Sequence, residues 1–378
     1  MNCRILLFSD TVCDANGVSR FLQNYSQLSK DLKVDFRVVT STTKTRCDDS
    51  LFFNTKPLFK IEMPFYKELD LVIPRKKEFE KIVREFKPDL IHISTPGLVG
   101  FSGRKIAKKF GIPMAGVYHT DFPEFIYDNT KSSLLRWITK KVLKNFYKDF
   151  TAVFSRSESY IPHISESIGV SKEKIYVLKA GIDTNSFHTK FADEVIWKRL
   201  QIQKNSIKAL YVGRLTPEKN FPFLLEIWKE FKKRSGDKTS SLIVVGDGKE
   251  KFGDLSEFGI HFLGYRGGEE LSKIYASSDF FLFPSINDTL GQSVMEAQSS
   301  GLPAIVSNIG GPKTVVKNGQ SAFVLPIEKD MWIEKISELI ENEKLRKEFS
   351  EVGHQNIQNM SIKDSFLDFF HKSCSLKN

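Results

Sequence analysis

Cysteine is scarce in this chain. Its four residues, Cys3, Cys13, Cys47 and Cys374, stand far apart, with no Cys-x-x-Cys pair and no histidine at metal-ligand spacing. That excludes a disulfide scaffold as the organising principle, gives no reason to expect a metal, and fits a reducing compartment. Long apolar runs are missing too: nothing approaches the roughly 18 residues that a membrane span requires. The first residues, MNCRILLFSD, hold a four-residue apolar run before Ser9 and Asp10, which reads as a first strand and not as a signal peptide. A cytoplasmic chain is expected. The dinucleotide fingerprint is also lacking. In VVGDGKEKFG (244–253) the third glycine of G-x-G-x-x-G falls on Lys251, so NAD binding is not expected and Gly-Asp-Gly reads as a tight strand-to-helix turn. No recognised nucleic-acid module occurs, which leaves a noncatalytic nucleic-acid binder without support beyond its net positive charge.

What is present suits a two-domain enzyme. A chain of 378 residues is too long for one small core and fits two domains of about 150 to 200 residues. The net charge of +10 is unevenly placed: residues 1–180 carry 30 Lys and Arg against 20 Asp and Glu, whereas the rest carries 26 of each. The basic excess of the first half points to an anionic surface or substrate there.

Short β-branched runs alternate with amphipathic stretches. Strands are expected at 3–9, 36–41, 90–95, 114–120, 151–157 and 174–181, and again at 208–215, 241–248, 260–266, 279–285, 302–308 and 321–326. Apolar spacing of three and four residues predicts helices over 17–31, 75–87 and 98–110. Strand–helix–strand at this rhythm means an α/β protein of parallel, doubly wound sheets. The cluster GIDTNSF sets a boundary between an acceptor-side domain of residues 1–183 and a second domain of 184–358. A last helix within 359–378 is expected to pack back on the first domain. Ligands of such sheets bind beyond the carboxyl ends of the strands, here in the cleft expected between two domains.

The chemistry-bearing residues follow strands. Arg214 comes directly after YVG, and Lys219 opens the next helix; a guanidinium fork plus an ammonium suits a diphosphate. Gly17 begins a helix and lets backbone approach a ligand. His119 ends the strand MAGVYHT, with Asp121 two residues on, placed to meet a sugar hydroxyl or developing charge. In FLFPSINDTLGQSVMEAQSSGLPAIV (281–306), a helix is expected to start near Thr289 or Leu290, so that the amides of Thr289, Leu290 and Gly291 form an anion site. Asp288 would repel phosphate and is assigned to sugar hydroxyls; its bland alternative is a helix cap. Glu296, two turns further, would hold the cis-diol of a ribose; its alternative is a solvated helix face.

Taken in order, GRLTPEKN, VVGDG, FLGYR, the acid-x7-acid stretch and GLPAIVSNIGGP resemble family 4 of the retaining glycosyltransferases, over nearly the whole chain. Within the family the sequence looks like the branch with sulfoquinovosyl- and mannosyl-transferases that act on lipid acceptors. The resemblance implies the GT-B fold, with two Rossmann-like domains facing across a cleft, and metal-independent transfer of a hexose from a UDP- or GDP-linked donor to a lipid or glycan hydroxyl. It implies that Gly17, Gly213, Arg214 and Lys219 meet the diphosphate, that Tyr265 and Arg266 meet the base, and that Asp288, Thr289, Leu290 and Gly291 address sugar and phosphate. Glu296 would then bind the ribose, and His119 would stand near the transferred sugar. No cofactor is implied beyond the sugar nucleotide itself. The chain departs from the family in having Asp288 in place of the usual Glu, Asn16-Gly17 in place of Gly-Gly, and Pro312, Lys313 and Thr314 where a Glu often follows the glycine pair. A nucleotide-sugar epimerase of the same fold, or a transferase with a soluble acceptor, are the alternatives.

One stretch lies outside these motifs. KSSLLRWITKKVLKNFYK (131–148) has six cations and no acid. Arg136, Lys140, Lys144 and Lys148 form one stripe, and Leu135, Ile138, Val142 and Phe146 another. Such a helix suits an anionic membrane and predicts a peripheral protein on the inner face of the plasma membrane; otherwise its apolar face packs on its own domain.

Overall fold

The computed structural model describes residues 3–14, 16–44, 48–63, 66–203, 205–248 and 252–377. The chain divides into two compact units, Met1–Lys179 with Lys363–Asn378, and Ala180–Ile362. Among the described residues, no helix is long and apolar enough to cross a membrane.

The first unit runs β1 (Ile5–Phe8), α1 (Gly17–Asp31), β2 (Phe36–Thr40), β3 (Phe52–Asn54), β4 (Phe59–Met63), β5 (Tyr66–Ile73), α2 (Lys76–Phe86), β6 (Leu90–Ile93), α3 (Leu98–Phe110), β7 (Met114–Tyr118), α4 (Phe122–Thr130), α5 (Ser133–Tyr147), β8 (Ala152–Ser155), α6 (Ile161–Glu166) and β9 (Ile175–Val177). Seven strands form a parallel sheet in the order β3-β2-β1-β6-β7-β8-β9. Strands such as ILLF of β1 are buried along their whole length, as a sheet covered on both faces requires. Helix ends follow local chemistry: the Asn16 side chain accepts from the Ser19 amide at 2.8 Å to start α1, and Gly111, at φ 66°, ends α3. The hairpin of β4 and β5 was not anticipated. It pairs Phe59 with Ile73 and Ile61 with Leu71; Phe59, Ile61 and Ile73 stay exposed while Val72 is buried in the first unit's core, so only part of its apolar pattern meets a core.

The second unit contains α7 (Val195–Arg199), β10 (Ile207–Val212), α8 (Phe221–Ser235), β11 (Ser240–Val245), β12 (Ile260–Gly264), α9 (Gly268–Ala276), β13 (Phe280–Phe283), α10 (Gln292–Ser299), β14 (Ala304–Ser307), β15 (Ala322–Leu325), α11 (Lys329–Glu341) and α12 (Glu343–Gln358). Its six parallel strands take the order β12-β11-β10-β13-β14-β15. Strand order therefore reverses between β10 and β13, the switch point at which doubly wound sheets hold ligands.

The chain then returns to the first unit as α13 (Ile362–Cys374). Phe366 and Phe369, both fully buried, pack among Tyr25, Phe36 and His92. Ser365 meets Tyr25, and Ser373 meets the His92 imidazole, each at 2.8 Å. Burial lowers the His92 pKa to about 3, so the ring is neutral there. Cys3 and Cys374 are joined by a disulfide, with their Cα atoms 5.9 Å apart. This corrects the expectation drawn from cysteine spacing: the partners lie 371 residues apart and meet only because α13 folds back beside β1. Cys47 lies outside the described residues.

Candidate active site

At the switch point of the second unit, β10 delivers Gly213 and Arg214. The Tyr211 hydroxyl donates to the Arg214 carbonyl at 2.7 Å, which fixes the chain as it leaves the strand. The Arg214 guanidinium lies 3.1 Å from Glu218, whose side chain is 2 % exposed. Glu218 was not singled out in the sequence; its signal was a carboxylate four residues after Arg214, on a short helical turn, Pro217–Lys219.

Lys219 reaches across to the loop after β13. Its ammonium is 2.7 Å from Asp288 and donates to the Asn287 carbonyl at 3.2 Å. The other Asp288 oxygen accepts from the amides of Leu290 at 3.1 Å and Gly291 at 2.7 Å. Burial opposes ionisation of Asp288, yet Lys219 and these two amides outweigh it and hold the carboxyl below its usual range. The structure here differs from the expectation of an open amide nest. Residues 288–291 form a side-chain-closed turn, Gly291 takes φ 88°, and α10 begins only at Gln292. An Asp reaches its own next amides easily, and that local bond competes with starting the helix early.

The Gly310-Gly311 pair braces this turn. The Gly311 amide donates to the Asp288 carbonyl at 2.8 Å. A Cβ on Gly310 would stand 2.7 Å from that carbonyl oxygen, and one on Gly311 would stand 2.3 Å from the Thr289 oxygen. Glycine is therefore required at both positions.

Glu296 is 4 % exposed and accepts from the Tyr275 hydroxyl at 3.0 Å. It is not on a solvated helix face. Tyr275, on α9, was missed because a buried tyrosine inside an apolar helix reads as core. Beyond the ends of β11 and β12 lies a cavity of about 260 Å³, lined by Gly246, Asp247, Gly248, Phe252, Phe262 and Gly264. A Cβ on Gly246 would come within 2.0 Å of the Gly213 carbonyl oxygen, so this turn packs directly against the chain leading to Arg214. Phe252 and Phe262 stack at 5.6 Å and 2° as an apolar wall. Tyr265 and Arg266 follow Gly264; Tyr265 is exposed, and Arg266 pairs with Glu270 at 3.6 Å.

In the first unit, His119 follows β7 with its ring edge against Phe21, 4.9 Å between centroids. Arg156, which follows β8 and is 9 % exposed, places its guanidinium 4.5 Å over the same Phe21 ring. Burial, and after it the Arg156 charge, push the His119 pKa well below the ordinary value, so the ring is a neutral imidazole. Asp121 is 4 % exposed and is engaged by the Tyr118 hydroxyl at 3.1 Å, by His163 at 3.1 Å and, as the cap of α4, by the Glu124 amide at 3.4 Å. At Gly17, by contrast, an added Cβ would meet nothing within 4 Å, so the protein's own packing does not demand glycine there.

On α5 the two expected stripes are redistributed. Phe146 is buried with Leu143 and Tyr147, so the apolar line 135–138–142–146 is partly core. The exposed apolar residues are Leu134, Leu135, Trp137, Ile138 and Val142, with Trp137 57 % exposed. Arg136 and Lys140 turn toward Glu124, at 3.3 and 3.6 Å, whereas Lys141, Lys144 and Lys148 remain exposed.

Comparison with known proteins bears on this arrangement. The chain is 27 % identical over 295 residues to sulfoquinovosyl transferase SQD2 of Arabidopsis thaliana, covering 75 % of this chain and 56 % of that protein. It is 29 % identical over 249 residues to a GDP-mannose-dependent alpha-mannosyltransferase of Mycobacterium tuberculosis, covering 65 % and 62 %. With alpha-monoglucosyldiacylglycerol synthase of Streptococcus pneumoniae it shares 26 % over 318 residues, 80 % of this chain and 70 % of the other. The chain thus spans less than two thirds of the first two relatives. Among solved structures, sucrose-phosphate synthase from Thermosynechococcus elongatus superposes with a TM-score of 0.78 at 17 % identity, and an Anabaena protein in complex with UDP and glucose with 0.74 at 16 %. Each of these two covers 99 % of both chains. Those likenesses show the fold, which is GT-B. The family model for glycosyltransferase family 4 matches residues 15–186 and that for glycosyl transferases group 1 matches 193–356, so the chain belongs to the family 4, group 1 glycosyltransferases.

Proposed function

We propose that the chain transfers a hexose from a nucleoside diphosphate sugar to a hydroxyl of a lipid or glycan, with retention of anomeric configuration and without a metal. The observation that carries this reading is the set of donors at the switch point, Arg214 directly after β10, and Lys219 with the Leu290 and Gly291 amides around Asp288 after β13, which suits a diphosphate. The cavity beyond β11 and β12 suits the nucleobase, with Phe252 and Phe262 as its apolar wall. Glu296, buried and steered by Tyr275, is placed for the ribose diol. Names among the relatives agree in kind, since they include sulfoquinovosyl, GDP-mannose-dependent and glucosyldiacylglycerol enzymes.

In this reading the bond from the anomeric carbon to the diphosphate breaks while the acceptor oxygen bonds to that carbon. The hydroxyl proton passes to a diphosphate oxygen on the same face. Negative charge grows on the diphosphate, and Arg214, Lys219 and the amides stabilise it there. His119, kept neutral, offers a hydrogen bond to a sugar or acceptor hydroxyl without adding charge. Thermal shift against a panel of UDP- and GDP-sugars tests the assignment. One base series should raise the melting temperature, and no response to any sugar nucleotide would sink the reading.

The acceptor side includes α5. Its exposed Leu134, Trp137, Ile138 and Val142, rimmed by Lys141, Lys144 and Lys148, form an apolar patch with a cationic border, the pairing that an anionic membrane surface meets. In flotation, the protein should rise with anionic vesicles and not with neutral ones. The double substitution Leu134→Ser, Trp137→Ser should lower that partitioning by about tenfold, or about 1.4 kcal/mol of lost apolar contact. Equal flotation of the double variant would remove α5 as the contact.

A further inference from the structure

We propose that Asp288 is an internal stand-in for the donor's anionic group, occupying the seat formed by Lys219 and the Leu290 and Gly291 amides until a diphosphate displaces it. The inference rests on reading that seat as the nucleoside diphosphate site. Both oxygens of the carboxylate are committed to the seat: one faces the Lys219 ammonium at 2.7 Å, the other takes the two amides at 3.1 and 2.7 Å. A phosphate oxygen would use the same donors: each amide has a single N–H, so Asp288 and a phosphate cannot hold the amides together, and the two compete for the Lys219 charge. The turn carrying the seat does not yield easily, because the Gly310-Gly311 pair packs on its carbonyls and Gly291 would meet Pro312 if it bore a Cβ.

The side-chain length decides the arrangement. An Asp carboxylate closes onto amides two and three residues ahead, as an Asx turn does. A Glu, one methylene longer, lacks the Asx-turn geometry and makes this local closure less readily. The chain therefore carries at 288 a residue suited to filling the seat itself, instead of reaching outward to a sugar. The consequence lies in product release. A bare nucleoside diphosphate must compete with a tethered carboxylate that returns as soon as the ligand loosens. The donor meets the same competition, so Asp288 weakens donor and product by the same factor and speeds departure of the bare diphosphate, which lacks the donor's sugar contacts.

Calorimetric titration of UDP and GDP into the intact chain and two variants tests this. Asp288→Ala opens the seat and leaves Lys219 without its carboxylate, so the dissociation constant of whichever diphosphate the wild type binds should fall by about tenfold. Asp288→Asn keeps the shape and the amide bonds but not the charge, and should give a smaller gain in the same direction. Unchanged or weaker diphosphate binding in Asp288→Ala, with cooperative melting retained, overturns the proposal; if that variant does not melt cooperatively, the same outcome in Asp288→Asn overturns it. A wild-type chain that binds neither diphosphate would defeat the donor-site reading itself, which separates the two failures. The corresponding nucleotide sugars form the third arm. An affinity gain equal to that of the bare diphosphate shows that Asp288 makes no sugar contact, whereas a loss confined to the sugar nucleotide returns Asp288 to the sugar and overturns the inference.

Discussion

Arg214→Ala should lower kcat/KM by 10²–10³, corresponding to about 2.7 to 4 kcal/mol of barrier, since in the proposed reaction it removes a cation from the place where leaving-group charge develops. The structure adds a second effect that activity alone would not separate. Glu218 is nearly inaccessible and faces the guanidinium at 3.1 Å, so the substitution leaves a carboxylate buried without its countercharge. Arg214 itself is 27 % exposed, so water reaches part of the gap and the stability cost should be about 1 to 3 kcal/mol. For a domain of this size that is a fall of about 3 to 9 °C in melting temperature. Adding Glu218→Gln removes the stranded charge. The double variant should regain most of its melting temperature and none of its turnover. Recovery of turnover in the double variant would mean that Arg214 serves only to neutralise Glu218 and that the diphosphate assignment is wrong.

That pair also shows what the sequence makes legible. Arg214 and Lys219 were readable because cations directly after a parallel strand stand where ligands bind, whatever the rest of the fold does. Glu218 sits between them and was passed over, since a carboxylate beside two strand-end cations looks like a solvated neighbour until its burial is known. Asp288 reads from the sequence as facing outward to a sugar, because a helix start and an Asx turn share the same residues. Only the register of α10, beginning at Gln292, decides between them. Helices α1 and α3 were read to the residue, their apolar spacing and the Asn16 and Gly111 ends agreeing with one another. The hairpin at residues 59–73 was not, because Phe59, Ile61 and Ile73 face solvent and Val72 reaches the core. On α5 the helical period was legible, but which apolar residues are core and which are exposed depends on α3, where Phe101 packs on Phe146.

The return of α13 is the least local feature and should carry the largest stability effect. Phe369 is fully buried and touches Phe21, Tyr25, Phe36, His92 and Phe154, so it joins the last helix to three strands and to α1. Phe369→Ala should destabilise the first unit by about 3 to 5 kcal/mol, the removed ring leaving a cavity that a parallel sheet cannot collapse to fill. Phe369→Leu, which keeps most of the volume, should cost less than about 1.5 kcal/mol. The tryptophans make the effect separable. Trp197, Trp228 and Trp332 are buried in the second unit, whereas the first unit holds only the exposed Trp137. Urea titration followed by tryptophan fluorescence should therefore report the second unit with its midpoint little changed, while circular dichroism, which sees both units, should gain an earlier transition. The Cys3–Cys374 disulfide still tethers the end of α13 in this variant, so adding Cys374→Ser should move the earlier transition lower again. A single transition by both probes, shifted equally, would show that α13 does not belong to the first unit's core alone. Because Phe369 also backs Phe21, against which both His119 and Arg156 rest, any turnover lost in Phe369→Ala should return with Phe369→Leu.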